Sequence, residues 1–367
     1  IATSQRDEAN LIKSWVGRLT YDFDGKYLLN ASIRRDGLSV FAPGHKYKNF
    51  PAVSVGWRID QEDFMDGFSS SISELKLRGG WGQTGINGVL LGNYPWQVSV
   101  NALNSNYPFD NVIGNANGSY YNRLANENLE WEVTDQVNIG LDLGLWRSKF
   151  TLSAEYFRRT TDNLIINIPI PSSYGFGNGG NVPTNAAAMR NTGFELLAGY
   201  HKREGDFKWD VSGIFTVIRN MVTELNTASA SFPAGADADF GNGAITNTVV
   251  GRPIQSFYGY VVDGIFQDID EVNNGPIQVV GSTAPGDIRF KDISGPDGRP
   301  DGRITDHDRT FIGSYLPKFS YSLNYTAIYK NFDASVFFQG VQGNKIFNAE
   351  RVIVEGMIRL FNSGTRV

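Results

Sequence analysis

A run of carboxylates near the end of the chain has the residue types and spacing that most directly suggest chemistry. Residues 292–309 read Asp-Ile-Ser-Gly-Pro-Asp-Gly-Arg-Pro-Asp-Gly-Arg-Ile-Thr-Asp-His-Asp-Arg. Hard cations such as Ca²⁺ take six or more oxygen ligands, and clustered aspartates with glycine at a tight bend can provide them. The segment therefore predicts a cation-binding loop with no catalytic role of its own.

The spacing within this acidic loop, residues 292–309, resembles an EF-hand-type calcium loop split by an insertion of about five residues. The candidate oxygen donors are Asp292, Ser294, Asp301, the carbonyl of Arg303 and Asp308, with Asp306 nearby. The loop ends in Asp rather than Glu, and the insertion contains proline, which both argue against a metal. An Asx-rich turn without any ion is therefore the alternative interpretation, and the sequence leaves both open.

Aromatic side chains in two loop segments are the candidate substrate contacts. The four residues selected are Tyr94, Trp96, Tyr174 and Phe176. Their rings could stack on sugar rings or hold peptide side chains. They could equally pack loops together or against a partner protein, so the sequence gives two interpretations.

Composition excludes several functional classes. The chain has no Cys and three widely separated His, which argues against thiol chemistry, a Cys-ligated zinc site or a His-based triad. Carboxylate pairs such as Glu130/Glu132 carry no sign of a buried cleft, so we predict no enzyme and no required cofactor. The net charge of −5 gives no nucleic-acid signature.

The element that positions the acidic loop is a hairpin over residues 318–339. In its first half Phe319, Tyr321 and Leu323 alternate with serine and asparagine, and the pattern resumes after a break at Lys330. A period of two places the apolar set on one face of a strand and the polar set on the other. Each strand has about 10 residues, the span of a transmembrane β-strand. No apolar run of about 18 residues exists, so a transmembrane helix is not predicted.

The alternating pattern recurs along the chain. The other predicted strands lie near residues 15–22, 27–35, 52–59, 75–81, 132–143, 150–156, 194–200 and 209–217, with short strands near 256–262 and 286–291 and a further start within 345–360. Turns near 24, 147, 204 and 330 are short, whereas the segments 36–50, 82–128, 163–190 and 220–316 are predicted as loops. Short turns on one side and long loops on the other are typical of an outer-membrane barrel. A soluble sandwich has no reason to sort its loops in this way.

Several segments carry a more specific resemblance. They are residues 26–37, 50–59, 62–65, 75–85, 126–136, 138–142, 191–196, 257–260, 263–267 and 286–292, among them Leu-Lys-Leu-Arg-Gly-Gly-Trp-Gly-Gln-Thr-Gly and Gly-Asp-Ile-Arg-Phe-Lys-Asp. In type and order they resemble the SusC/RagA family of TonB-dependent outer-membrane transporters, over nearly the whole chain.

The resemblance implies an all-β, antiparallel transmembrane barrel of 22 strands with long extracellular loops and short periplasmic turns. Residues 1–367 would be its C-terminal part, without the plug domain and the N-terminal strands. The chain opens with neither a signal peptide nor an initiator Met, which we interpret as an internal piece of a longer protein.

The resemblance further implies import of oligosaccharides or peptides across the outer membrane of a bacterium. The partners would be a SusD-like surface lipoprotein, the TonB complex (through the missing N-terminal part) and outer-membrane lipid. Independently of the resemblance, the residue pattern of the acidic loop predicts Ca²⁺ as one of its two interpretations. Two other classes stay open: a secreted β-rich carbohydrate-binding or adhesive protein, and a passive porin.

Overall fold

The computed structural model describes residues 11–86, 94–106, 117–174, 181–227, 230–235, 244–279 and 282–350. The chain divides into two compact units. The first combines Ile1–Thr227 with Phe319–Gly340, and the second combines Ala228–Lys318 with Val341–Val367. The predicted strand start within 345–360 falls largely outside the described residues.

Strands make up most of the described chain. They are β1 (Ile12–Phe23), β2 (Tyr27–Leu38), β3 (Tyr47–Arg58), β4 (Ile72–Ile86), β5 (Ser99–Asn106), β6 (Asn117–Arg123), β7 (Glu132–Leu145), β8 (Phe150–Pro169), β9 (Asn181–Lys202), β10 (Phe207–Leu225), β11 (Ser231–Ala234), β12 (Thr246–Val249), β13 (Ser256–Gly259), β14 (Val262–Ile265), β15 (Ile288–Phe290), β16 (Thr310–Gly313), β17 (Phe319–Tyr329) and β18 (Phe332–Gln342). A short α-helix, α1 (Ile269–Asn274), follows β14, and no described helix is long and apolar enough to cross a membrane.

Ten of these strands form one continuous sheet, which we call the wall. Their order is β1-β2-β3-β4-β7-β8-β9-β10-β17-β18, and the neighbouring strands from β1 to β17 pair in antiparallel fashion. β5 and β6 form a side hairpin, and β6 reaches the start of β9 through a parallel pairing of Arg123 with Asn181. The all-β, antiparallel prediction is confirmed.

The predicted short turns are confirmed. Turn residues adopt positive φ at Asp24 (55°), Arg147 (58°), Gly205 (85°) and Lys330 (54°). At the first of these turns the amide of Gly25 donates to the carboxylate of Asp22 at 2.8 Å. An Asx hydrogen bond of this kind stabilises a short turn between two antiparallel strands.

Several predicted loops are shorter than the sequence suggested. The prediction of a loop over 163–190 is wrong for most of its length, because β8 continues to Pro169 and β9 already begins at Asn181. A register shift between Thr161 and Leu164, with φ of +58° at Asn163, interrupts the period of two there. A bulge of this kind hides the continuation of a strand from a search for alternation.

The other loop predictions change in the same direction. β2 and β3 extend into the predicted loop 36–50, and β4 extends to Ile86 before a connection that contains β5 and β6. Residues 220–316, predicted as mostly loop, contain the end of β10, six short strands and α1. The short strands expected near 256–262 and 286–291 are confirmed as β13, β14 and β15.

Strand register sorts the wall into two faces. One cross-strand row is Tyr21, Leu29, Val55, Gly79, Ile139, Tyr156, Phe194 and Val217. The adjacent row on the opposite face is Asp22, Leu28, Gly56, Arg78, Gly140, Glu155, Glu195, Thr216 and Ser320. We call the face of the first row the apolar face and that of the second the polar face.

The apolar face leaves large hydrophobic side chains exposed. Tyr21, Val55, Ile139, Tyr156 and Phe194 are all among the exposed residues. A continuous exposed apolar surface of this kind marks contact with a membrane or another protein. It is also the surface that the alternating sequence pattern predicted.

A buried apolar cluster lies at the long-connection end of β2, β3 and β7. Its members are Leu38, Val40, Phe41, Phe50, Leu129, Trp131 and Val133, with Ile165 of β8 packed against them. The ring of Trp131 lies 5.3 Å from that of Phe41 and 5.6 Å from that of Phe50. Its indole N–H donates to the carbonyl of Lys46 at 3.1 Å, so a buried tryptophan keeps its polar atom paired.

The second unit is built from short strands. β11, β12, β13 and β16 form one small antiparallel sheet, and β14 pairs with β15. Asp268 is the N-cap of α1, and its carboxylate accepts the amide of Glu271 at 2.8 Å. A parallel β-bridge joins Ile277, after α1, to Arg303 of the acidic loop.

Candidate functional site

The polar face carries an ion network on three neighbouring strands. Arg78 of β4 donates through Nε to Asp142 of β7 at 3.2 Å and through Nη1 to Glu155 of β8. The hydroxyl of Ser153 bridges the network by donating to the second oxygen of Asp142 at 2.7 Å. One guanidinium thus holds two carboxylates in place, because its planar fork presents several donors at once.

A glycine makes this network geometrically feasible. Gly140 stands between Arg78 and Glu155 in the cross-strand row. A Cβ atom at Gly140 would lie 2.6 Å from Cζ of Arg78. The guanidinium therefore lies flat against the backbone of β7 instead of projecting away from the wall.

A second glycine of the polar face, Gly193 of β9, lies beneath an aromatic ring in the same way. Phe157 of β8 is buried, and a Cβ at its cross-strand neighbour Gly193 would lie 2.4 Å from the ring. The guanidinium of Arg159 sits 4.9 Å from the ring centroid, in cation–π range. Because Gly140 and Gly193 have no side chains, Arg78 and Phe157 lie against the sheet instead of protruding from the polar face.

The polar face also has apolar positions. Ile214 of β10 pairs directly with Leu197 of β9, and both side chains are exposed. Ile218 lies further along the same face of β10 and is exposed as well. The polar face therefore combines charged, polar and aliphatic surface, which suits a path for solutes of mixed chemistry.

Two of the four candidate substrate aromatics lie between β4 and β5. Tyr94 has φ of +51°, and its carbonyl accepts the amide of Gln97 at 3.0 Å, which forms a tight turn around buried Pro95. The indole nitrogen of Trp96 is buried without a hydrogen-bond partner. Tyr94 is exposed and available to a ligand, whereas Trp96 is half-buried.

The other two aromatics belong to the β8–β9 connection. Tyr174 ends a single helical turn, Ser172–Tyr174, with its side chain 70% exposed. Phe176 lies outside the described residues. Arg123, at the end of β6, pairs with Asn181, at the start of β9. The β4–β7 connection, which contains β5 and β6, therefore meets the end of the β8–β9 connection.

In the acidic loop, Asp308 is the organising residue. It is fully buried, and its carboxylate accepts the amides of Ile293 at 2.9 Å, Ser294 at 3.1 Å and Thr305 at 2.8 Å. Burial by itself would raise the pKa of Asp308, but these three N–H groups stabilise the charged form and hold its pKa below the usual value. The carboxylate thus fastens the beginning of the loop to its end.

The remaining predicted ligands also bind backbone groups. Asp292 accepts the amides of Asp301 at 3.3 Å and Gly302 at 2.6 Å, and Asp301 accepts the amide of Arg303 at 3.0 Å. Gly302 has φ of +80°, as the predicted tight bend requires. Ser294 contributes its amide to Asp308. Within the described residues no group of three or more His, Asp or Glu is arranged to hold a metal ion, and calcium binding stays a prediction.

The Arg78 network was not selected from the sequence. The signal available was the alternation of polar residues on β4, β7 and β8, which assigns all of them to one face. Which residue faces which across the strands depends on register, and register was not predicted. The apolar cluster around Trp131 was missed for the same reason, since four separate segments supply it.

These features define a class of protein: an antiparallel wall with an apolar outer surface, a polar opposite surface and long connections on one side. The family model "TonB dependent receptor-like, beta-barrel" matches residues 3–349. The chain belongs to this TonB-dependent receptor family, and the resemblance found in the sequence is confirmed.

Individual relatives agree with this assignment. TonB-dependent receptor P3 of Formosa agariphila is 30% identical over 349 residues, which cover 94% of this chain and 33% of the relative. TonB-dependent receptor SusC of Bacteroides thetaiotaomicron is 29% identical, with coverage of 92% and 32%. A solved structure of the RagAB peptide transporter superposes with a TM-score of 0.76 at 23% identity, covering 94% of this chain and 35% of that one. The chain thus spans about one third of the length of the relatives that it matches.

Proposed function

We propose that this chain is part of the barrel of an outer-membrane transporter that imports oligosaccharides or peptides with energy supplied through TonB. The observation that carries the proposal is the family match over residues 3–349. The two-faced wall supports it, because the apolar face suits lipid and the polar face suits an aqueous lumen. Relatives of the chain are named as receptors and transporters rather than enzymes.

Closure of the barrel requires strands beyond those described. Among the described strands none pairs with the outer edge of β1 or of β18. In lipid, unpaired backbone N–H and C=O groups cost several kcal/mol each, so a sheet edge must be covered. We therefore propose that residues 1–367 form the C-terminal portion of a 22-stranded barrel, whose remaining strands and plug domain come from the rest of the protein.

The relatives and the exposed aromatics support the proposed cargo class. RagAB is described as a peptide transporter, and SusC is a related receptor. Tyr94 and Tyr174 offer exposed rings on the side of the long connections, where an incoming solute would first meet the protein. A SusD-like surface lipoprotein is the proposed partner on that side, and the TonB complex acts through the N-terminal part of the protein.

Uptake measurements on the full-length transporter test this proposal. A deletion strain and a complemented strain are grown on separate panels of glycans and of peptides as the sole source of carbon or amino acids. We expect the deletion strain to grow poorly on one panel and the complemented strain to grow normally. Deletion of TonB from the complemented strain should abolish that growth again. Equal uptake with and without TonB would instead indicate a passive porin.

Membrane fractionation distinguishes an outer-membrane transporter from a secreted carbohydrate-binding or adhesive protein. The full-length protein should stay in the outer-membrane pellet after a carbonate wash and require detergent for release. Release by the wash without detergent would favour the secreted carbohydrate-binding or adhesive protein and would overturn the proposed function.

A further inference from the structure

The apolar face has a gap at one position of its exposed row. Gly79 of β4 stands between Val55 of β3 and Ile139 of β7, and both neighbours carry exposed side chains. A Cβ added at Gly79 would meet one atom within 4 Å, the carbonyl oxygen of Asn138 at 3.8 Å. The absence of a side chain at Gly79 therefore leaves open space above the sheet.

This gap belongs to a groove of about 480 Å³. The groove is lined by Tyr21, Tyr27, Leu28, Leu29, Val55, Gly56, Trp57, Leu77, Arg78, Gly79 and Ile139. Most of these residues belong to the apolar face, and the volume lies in the range of small-ligand pockets. Its chemistry suits a hydrocarbon chain.

The groove runs from the short-turn end of the wall towards its middle. Tyr27 is the first residue of β2 and Trp57 the penultimate residue of β3, so both mark the turn end. On β2, β3 and β4 the apolar-face lining residues lie two positions apart on each strand: Tyr27 and Leu29, Val55 and Trp57, Leu77 and Gly79. At about 3.3 Å per residue the groove extends roughly 7 Å along these strands. It crosses the wall from Tyr21 of β1 to Ile139 of β7.

A cluster of charges closes the turn end of the groove. Glu62 accepts the hydroxyl of Tyr27 at 2.6 Å and the indole N–H of Trp57 at 2.9 Å, which ties it to two groove residues. Lys26 lies 3.6 Å from Glu62 and 2.9 Å from Asp63. The side chain of Asp63 is 96% exposed, so it has room for a cation from outside the protein. The three side chains together present an ammonium beside an available carboxylate.

We propose that this groove binds one acyl chain of a zwitterionic phospholipid with a phosphoethanolamine headgroup, whose phosphate meets Lys26 and whose ammonium meets Asp63. The phosphoethanolamine headgroup pairs both charges of the cluster. An anionic phosphoglycerol headgroup has no ammonium for Asp63 and meets a cluster with two carboxylates and one ammonium. The proposal rests on the proposed function in one respect: membrane insertion with the short turns on the periplasmic side places the groove in the inner leaflet.

The test uses the full-length transporter, purified in mild detergent, inserted in nanodiscs of mixed phosphatidylethanolamine and phosphatidylglycerol, and released for native mass spectrometry. Gly79→Phe places a ring in the groove from a position where an added Cβ has its nearest atom at 3.8 Å. Gly213→Phe is the matched control, because Gly213 lies on the same face outside the groove and a Cβ there has its nearest atom at 3.6 Å. Asp63→Asn removes the ammonium partner, with Asp66→Asn as its control in the same connection.

We expect one phosphatidylethanolamine molecule to stay bound to the original protein and to Gly213→Phe, and its retention to fall at least tenfold in Gly79→Phe. Asp63→Asn should abolish the preference for phosphatidylethanolamine over phosphatidylglycerol, and Asp66→Asn should keep it. Equal retention in Gly79→Phe and Gly213→Phe would overturn the inference. So would a loss of dimers in Gly79→Phe, which would make the groove a contact between protein copies. A barrel that inserts and imports cargo but fails these tests leaves the proposed function intact, whereas a protein absent from the membrane contradicts both.

Discussion

The guanidinium of Arg78 reaches across an entire intervening strand to bind the carboxylate of Glu155. The two residues lie on β4 and β8, and β7 passes between them with Gly140 at the crossing point. Asp142 of β7 binds the same guanidinium at 3.2 Å. Three strands of the wall are therefore joined by one side chain in addition to their backbone hydrogen bonds.

Removal of Arg78 should destabilise the wall and expose this coupling. Arg78→Gln leaves two partly buried carboxylates next to each other without a cation, and we expect a loss of roughly 1–3 kcal/mol in unfolding free energy. A double-mutant cycle with Glu155→Gln measures the pairwise part, since the second change removes one of the repelling charges. Additive effects in thermal unfolding of the full-length protein would show that the ion pair contributes nothing. Arg147→Gln, at an exposed turn, is the control.

Two wall glycines should respond differently to alanine. A Cβ at Gly193 would lie 2.4 Å from the ring of Phe157 and 2.7 Å from the carbonyl oxygen of Val217. Because neither the buried ring nor the backbone can move freely, we expect Gly193→Ala to cost about 1–3 kcal/mol through overpacking. Gly213→Ala meets its nearest atom at 3.6 Å and should change stability by less than about 0.5 kcal/mol. A Gly193→Ala protein with the same unfolding temperature as Gly213→Ala would contradict the packing described.

The stability of the acidic loop should decrease at low pH, because the carboxylate of Asp308 becomes protonated. Its pKa is lower in the folded loop than in an unfolded chain, where aspartate titrates near 3.9. The stabilisation is therefore fully present above about pH 5 and is lost as the pH falls below about 4 towards the lowered folded pKa. Asp308→Asn should cost about 1–3 kcal/mol for each backbone N–H left without an acceptor. The stability gap between the original protein and Asp308→Asn should close on acidification, while the exposed Asp297→Asn should show no gap at any pH.

Calcium distinguishes the two interpretations of the same loop. If Asp292, Asp301 and Asp308 ligate the ion, added CaCl₂ should raise the unfolding temperature in proportion to the logarithm of its concentration, and a chelator should reverse the rise. Asp301→Asn should abolish the response, whereas Asp297→Asn should keep it. No response of the original protein to millimolar calcium would leave the Asx-turn interpretation, in which the carboxylates bind backbone amides alone.

Tyr174 should affect uptake rather than stability. Because its side chain is 70% exposed, Tyr174→Ala removes little packing. Loss of one aromatic contact worth about 0.5–1.5 kcal/mol would raise the half-saturating cargo concentration roughly 2- to 12-fold. Tyr156→Ala is the comparison, because this tyrosine is also exposed but lies on the apolar face. Unchanged uptake in Tyr174→Ala would remove Tyr174 from the cargo contacts.

The sequence alone determined the strand-rich wall, its two faces, its short turns and its family. Alternation and Asx or glycine turns are local properties, so residues such as Phe319, Tyr321 and Leu323 carry them without reference to any other strand. The local signal failed where a bulge broke the period, which is why β8 was predicted to end too early and β9 to begin too late.

The tertiary structure decided everything that depends on register and on contacts between distant segments. Arg78, Asp142 and Glu155 form one network because their three strands align at Gly140. A groove forms at Gly79 because its cross-strand neighbours, Val55 and Ile139, carry large side chains. A shift of one residue in register would turn every side chain of a strand to the other face. Register is set by the cooperative packing of all strands together, and no single segment of sequence contains it.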